Sequence, residues 1–160
     1  GLVSLRDKVL FAICLFAGCR VSEALAIRTT DIKGGTLTLR KCTTKGKLKT
    51  RVVDIQPGLA SLLEAYQPSK PGFLFPGGRP GQPMTRFMAD KILKKACERV
   101  GLVGVSTHSF RRTALTQMSS AGIPLRHIQE ISGHNDLGIL QRYLEVSPDQ
   151  RKKAVSVIDW

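Results

Sequence analysis

His108-Ser-Phe-Arg111, followed by Arg112, sets an imidazole and a guanidinium three residues apart. On a helix that spacing puts both on nearly the same side. Arg111 then lines up with Ala114, Leu115 and Met118, an apolar row, whereas Arg112 lines up with Thr116 and Ser119 and faces water. An arginine on a packing face needs an anion or a set of acceptors, because an unpaired buried charge is very costly. An internal carboxylate is the usual solution, and a bound phosphate is the other. Acids are scarce around this segment, and a histidine converging with an arginine forms a good anion site.

Gly18-Cys19-Arg20-Val21-Ser22-Glu23 is a second candidate. Arg20 falls at the start of a helix, where free backbone N–H groups already favour an anion. Glu23, three residues on, can hold the guanidinium in one orientation; the plainer alternative is a surface pair worth about 0.2–0.5 kcal/mol. Lys45 and Lys47 sit where a turn tip carries positive charge, suited to a nucleic-acid backbone or to donating a proton, or simply to a solvated loop. His134 follows the helix end Ser132-Gly133, and Tyr143 lies beside Leu140 and Leu144. Taken singly, the first reads as a structural hydrogen bonder and the second as a packing tyrosine.

These residues need a scaffold, and the pattern along the chain predicts one. Ser4 caps a helix through Phe16, whose Leu5, Val9, Ala12, Ile13 and Phe16 form an apolar stripe that Gly18 ends. A short helix follows over Val21–Ile27. Lys33-Gly34-Gly35 is a turn, and Thr36–Arg40 alternates with a period of two, as a half-buried strand does. Thr50–Ile55 is the return strand, which makes a β-hairpin with a strongly basic tip. Pro57–Tyr66 is a helix with Pro in its first turn. A Pro- and Gly-rich irregular connection covers 67–83 around Phe73-Leu74-Phe75. Helices are expected over Thr85–Val100, Ser109–Ala121 and Pro124–Ile131, then from a cap at Asp136, and from Ser147-Pro148-Asp149 toward Ile158. The fold class is therefore mainly α with a small antiparallel β-sheet.

The chain has 160 residues, enough for one domain, and 42% apolar residues, enough for a core. Twenty-five Lys and Arg against 12 Asp and Glu give a formal charge of +13, which points to a polyanionic partner. The excess is uneven. Lys41, Lys45, Lys47, Lys49 and Arg51 face only Asp54 within 41–56, whereas 135–160 is neutral. No run of about 18 apolar residues exists that would span a bilayer. Nor does any helix combine a strongly basic face with an exposed apolar one, so a membrane surface is a poor partner. Cys14, Cys19, Cys42 and Cys97 lack the clustering a tetrahedral metal site needs and read as small buried thiols of an intracellular protein. The opening GLVSLRDKVL has neither an initiator Met nor the order of a signal peptide, and reads as the start of a domain cut from a longer protein.

As a set, Arg20-x-x-Glu23, the basic hairpin, His108-x-x-Arg111, Gly133-His134 and Tyr143 nine residues after that histidine form a specific combination. AGCRVSEALAIRTTDI, TTKGKLKTRVVDI, THSFRRTALTQM and SGHNDLGILQRYLEV resemble the catalytic domain of the tyrosine recombinase (phage integrase) family over residues 5–146. The resemblance implies the DNA breaking-rejoining enzyme fold and a site-specific recombinase or integrase. Tyr143 would be the nucleophile that forms a 3′-phosphotyrosyl link. Arg20 and Arg111 would clamp the non-bridging oxygens, and His108 and His134 would add hydrogen bonds and move protons. Lys45 would protonate the departing 5′-oxygen, with Lys47 or Lys49 as alternatives, and Glu23 would support Arg20. Lys41, Lys47, Lys49, Arg51 and Arg112 are expected to contact DNA. Two guanidinium forks compensate the charge of a phosphoryl transition state without a metal, and the covalent link conserves bond energy without ATP, so no cofactor is expected.

Implied partners are double-stranded DNA and other copies of the chain. The protein would be a monomer when free and a tetrameric synapse on DNA, cytoplasmic and associated with the nucleoid. The tail Ser147–Trp160 would dock on a neighbouring protomer or pack on its own domain. Relatives carry an N-terminal DNA-binding domain that is not in these 160 residues, so this chain alone is expected to bind DNA weakly. The competing readings are a type IB topoisomerase-like relaxing enzyme and a non-catalytic basic DNA-binding module.

Overall fold

Ser4 starts the first helix through its side chain: Oγ accepts the Asp7 backbone N–H at 3.1 Å, and α1 runs over Leu5–Phe16. Val9, Leu10, Phe11, Ile13 and Cys14 of this helix are buried. That makes α1 the central pillar, with α2 (Val21–Leu25), α3 (Pro57–Ala65) and α5 (Thr107–Ser120) packed around it. Phe11 stacks on Phe110 with ring centroids 5.0 Å apart. The computed structural model describes residues 1–40, 50–68, 71–141 and 148–158. Lys41, Cys42, Lys45, Lys47, Lys49 and Tyr143 lie outside the described residues, and so do the hairpin tip and Leu144.

The sheet is antiparallel in the order β1 (Ile32–Lys33), β2 (Thr36–Leu39), β3 (Arg51–Asp54). The turn expected at Lys33-Gly34-Gly35 joins β1 to β2, with Gly34 and Gly35 at φ 57° and 74°. Strand β1 has no signal of its own in the sequence, because two residues are too few for a period to show. Thr36 pairs with Asp54 and Leu39 with Arg51, so the two expected strands form the hairpin. Leu37 and Leu39 are buried on the inner face, and Val53 joins them from β3 while Val52 is exposed. Arg51, two residues before Val53, shares that inner face.

The Pro- and Gly-rich connection is irregular yet anchored. Phe73 bridges to Arg28 and lies under its guanidinium, and Leu74 and Phe75 are buried. Thr85 caps α4 (Arg86–Glu98). Helix α5 begins at Thr107, two residues before the expected Ser109, because Ser109 Oγ accepts the Ser106 N–H at 3.0 Å and closes the first turn. That brings His108 into the helix. Helix α6 (Leu125–Ser132) stops at Gly133, φ 71°, and packs on β3. Asp136 Oδ1 accepts the Gly138 N–H ahead of α7 (Leu137–Gln141). Leu115, Ile128 and Leu140 make a small second core beneath α5, α6 and α7. In the last helix, α8 (Pro148–Ser156), and just after it, Val155, Val157 and Ile158 stay exposed. Among the described residues no helix is long and apolar enough to cross a membrane. Cys14, Cys19 and Cys97 are buried free thiols.

Candidate active site

After α1 the chain turns through Gly18, φ +55°, and its carbonyl oxygen points at α5, where Arg111 Nη1 donates to it at 2.7 Å. Two residues on, Arg20 is the N-cap of α2. Glu23 sits at the third position of that helix, and its Oε2 accepts the Arg20 backbone N–H at 2.8 Å. This closes one half of a capping box and sets the angle at which Arg20 leaves the chain. The carboxylate is 2% exposed. Its Oε1 takes Arg51 Nη1 at 2.6 Å, and its Oε2 lies 3.9 Å from Arg111 Nη1. Burial by itself would push the Glu23 carboxyl up, but the hydrogen bond and charge of Arg51, with the Arg20 N–H and Arg111, hold it below the usual carboxylate value.

Two expectations are corrected here. Glu23 is no surface partner of the Arg20 guanidinium: it is buried, and it holds Arg20 by the backbone and Arg51 by the side chain. Arg51 is not on the DNA-facing skin of the hairpin. Its side chain is 10% exposed and turned inward, with Nη1 on Glu23 and Nε on the Ile131 carbonyl at 2.7 Å. The physical reason is the two-residue period of β3, which puts Arg51 on the face of Val53. That alternation is visible in the sequence, but the density of lysines just before it draws Arg51 into the wrong group.

Arg111 is buried at 5% exposure, as its apolar row predicts. Of the two expected solutions to its charge, the internal carboxylate appears in part. The internal carboxylate is present at 3.9 Å but is already committed to Arg51. The other guanidinium nitrogen, Nη2, lies 3.2 and 3.1 Å from the two ring nitrogens of His134, which places it against the ring rather than in line with one lone pair. Burial lowers the Arg111 pKa to about 10, helped by Arg20 and Arg51 and only partly offset by Glu23. His134 feels the same field. Burial first, then Arg111, Arg20 and Arg51, bring it down to about 4, so the ring is neutral at pH 7. Ser132 Oγ, 2.8 Å from His134 Nδ1, fixes the ring, a partner that no sequence signal announced.

Arg20, His108, Arg111, Arg112, Leu115 and His134 line one cleft of about 200 Å³. Sequence positions 20, 108, 111 and 134 are thus brought together by the packing of α5 on α1 and the turn after α6. His108 and Arg112 are exposed at its mouth, Arg112 facing water as its row predicts. Among the described residues no carboxylate pairs with Arg20, His108 or Arg112. Mutually repelling guanidiniums and a neutral histidine make this a cavity of strongly positive potential. A tetrahedral oxyanion suits it: planar guanidiniums present paired N–H donors, and a neutral imidazole adds one more bond. A second depression of about 470 Å³ continues past His134 toward Thr50 and Arg126, at the root of the hairpin.

Comparison with known proteins agrees with this geometry. Residues 2–150 match the phage integrase family. A putative integrase/recombinase of Sinorhizobium fredii is 32% identical over 151 residues, covering 92% of this chain and 49% of the relative. The tyrosine recombinase XerC of Herpetosiphon aurantiacus is 32% identical over 162 residues, 96% of this chain and 52% of its own. The crystal structure of the XerH site-specific recombinase bound to difH substrate, a pre-cleavage complex, superposes with a TM-score of 0.72 at 25% identity, covering 96% of this chain and 47% of that one. The chain spans about half the length of the curated relatives it matches. An all-but-complete match over the helices and hairpin that build the cationic cleft leaves one assignment, and this chain belongs to the phage integrase family.

Proposed function

We propose that this chain is the catalytic domain of a site-specific DNA recombinase or integrase, cleaving and rejoining strands through a 3′-phosphotyrosyl intermediate. The observation that carries this reading is the convergence of Arg20, His108, Arg111 and His134 on one cleft, with the neighbouring Glu23 carboxylate committed to Arg51. A scissile phosphate enters there with its non-bridging oxygens on Arg20 and Arg111. The Tyr143 phenol oxygen attacks phosphorus, the bond to the 5′-oxygen breaks, and Lys45, or Lys47 or Lys49 in its place, protonates the departing 5′-hydroxyl. His108 and His134 hydrogen-bond the phosphoryl oxygens and relay the phenol proton. As charge builds on the equatorial oxygens, the buried guanidinium is strengthened by its low-dielectric surroundings, and such a donor is commonly worth about 10²–10³ in rate. The reverse attack by a 5′-hydroxyl from another strand rejoins the DNA without an external energy source.

Double-stranded DNA is the proposed partner, held by Lys41, Lys47, Lys49 and Arg112, with tetrameric assembly on DNA. The exposed Val155, Val157 and Ile158 support a tail that docks on a neighbouring protomer. XerH, described as a site-specific recombinase bound to its difH substrate, lends the reading support. The test is a set of duplexes nicked beside candidate cleavage positions, which trap the covalent step. A protein–DNA adduct that disappears in Tyr143→Phe is the expected result. The reading gives way to a non-catalytic DNA-binding module if no duplex yields an adduct, and relaxation of supercoiled DNA without strand exchange would mark a topoisomerase instead.

A further inference from the structure

Among the described residues, Arg51 carries a buried polar atom left over: its Nη2 is shielded from solvent and has no hydrogen-bond partner there. Leaving such a donor unsatisfied is costly, and an apolar residue at the base of a hairpin would avoid that cost. Its other contacts reach three places. Nη1 holds Glu23 at 2.6 Å on α2, Nε holds the Ile131 carbonyl at 2.7 Å on α6, and the backbone pairs with Leu39 at the end of β2. Gly133 makes room for it: a Cβ there would sit 2.8 Å from Arg51 Nη1.

The position of Glu23 gives these contacts a purpose. Its Oε2 is already within 3.9 Å of Arg111 Nη1. That is already a long ion pair, and a small rotation would shorten it and cancel more of the charge that Arg111 offers to the cleft. What opposes the rotation is the hydrogen bond from Arg51 to Oε1 on the far side, together with the Arg20 N–H on Oε2. We propose that Arg51 is a positioning residue of the anion cleft: it holds the Glu23 carboxylate off Arg111, so that the Arg111 guanidinium remains available to a phosphate. This rests on the cleft being a phosphate site, as argued above, and adds what keeps it from neutralising itself.

The experiment titrates inorganic phosphate into the 160-residue protein and its variants, following the side-chain NMR signals of Arg111 and His134. In the wild type both signals shift with saturation. In Arg51→Gln, Glu23 closes on Arg111 and phosphate affinity falls about tenfold or more. In Arg51→Gln/Glu23→Gln the stray carboxylate is gone and affinity returns to within about threefold of wild type. Arg51→Lys keeps a charge on Glu23 while giving up the Ile131 bond, and stays within about threefold. This last variant serves also where the glutamine variant does not fold. A purely structural brace would be rescued by neither the double change nor the lysine. Equal losses in Arg51→Gln and the double variant, unchanged affinity in Arg51→Gln, or a loss in Arg51→Lys as deep as in Arg51→Gln each overturn the proposal. Absence of any phosphate shift in the wild type overturns it too. The strand-cleavage reading is judged separately by the Tyr143 adduct, so the two can fail independently.

Discussion

At the scale of single residues, His134 and Glu23 tie stability to pH in the same direction. His134 has a folded value of about 4 against an ordinary 6.5, because burial and the surrounding guanidiniums disfavour its protonated form. Between those values the unfolded chain binds more protons than the folded one, so stability is full above pH 6.5 and declines as pH falls toward 4. Glu23, held below the usual carboxylate value by Arg51, adds a further loss at still lower pH. Partial exposure of His134 screens the effect, leaving about 1–2 kcal/mol for its part. Urea midpoints from pH 7.5 to 4.5 should drop accordingly, and His134→Gln should flatten the decline above pH 5; an undiminished slope in that variant would show that the titrating group lies elsewhere. The identities of Arg20, His108, Arg111 and His134 as a set were legible because their types and spacings are unusual together. The inward turn of Arg51 follows from its two-residue offset from Val53, a signal masked by the lysines that precede it.

At the scale of elements, the cleft depends on where helices stop and start. Helix α6 ends at Gly133 in the left-handed region, φ +71°, which aims His134 at Arg111 and leaves space over Arg51. Gly133→Ala meets both obstacles, a strained backbone and a Cβ 2.8 Å from Arg51 Nη1. It should cost about 2 kcal/mol or more, read as a lowered melting temperature, and should also displace the His134 ring signals. A melting temperature within a degree of wild type would mean the turn tolerates a side chain. The starts of α1 and α4 were predictable from Ser4 and Thr85, whose side chains cap locally. Helix α5 starts two residues before the position its sequence suggests, since the capping group, Ser109, sits inside the helix it begins.

At the scale of the whole molecule, the +13 charge governs any encounter with a polyanion. DNA binding by this chain should therefore be weak at physiological salt and fall by about a hundredfold or more between 50 and 200 mM salt, as released counterions require. Fluorescence anisotropy of short duplexes measures this. A salt-insensitive or strongly sequence-specific affinity would contradict a contact made mainly through phosphates. Helix order and the hairpin could be anticipated, because each is governed by contacts within a few residues or by a short period along the chain.

Residue types, periodicity and charge belong to the linear chain, and so they determined the fold class, marked out candidate reactive groups and pointed to a polyanionic partner. Whether those groups oppose or support one another depends on distances between residues about a hundred positions apart, such as the bond from Arg111 to Gly18. Only packing decides such distances. The tertiary structure therefore decided that Glu23 faces Arg51, that His134 is kept neutral, and that the charge of Arg111 is left facing an open cleft.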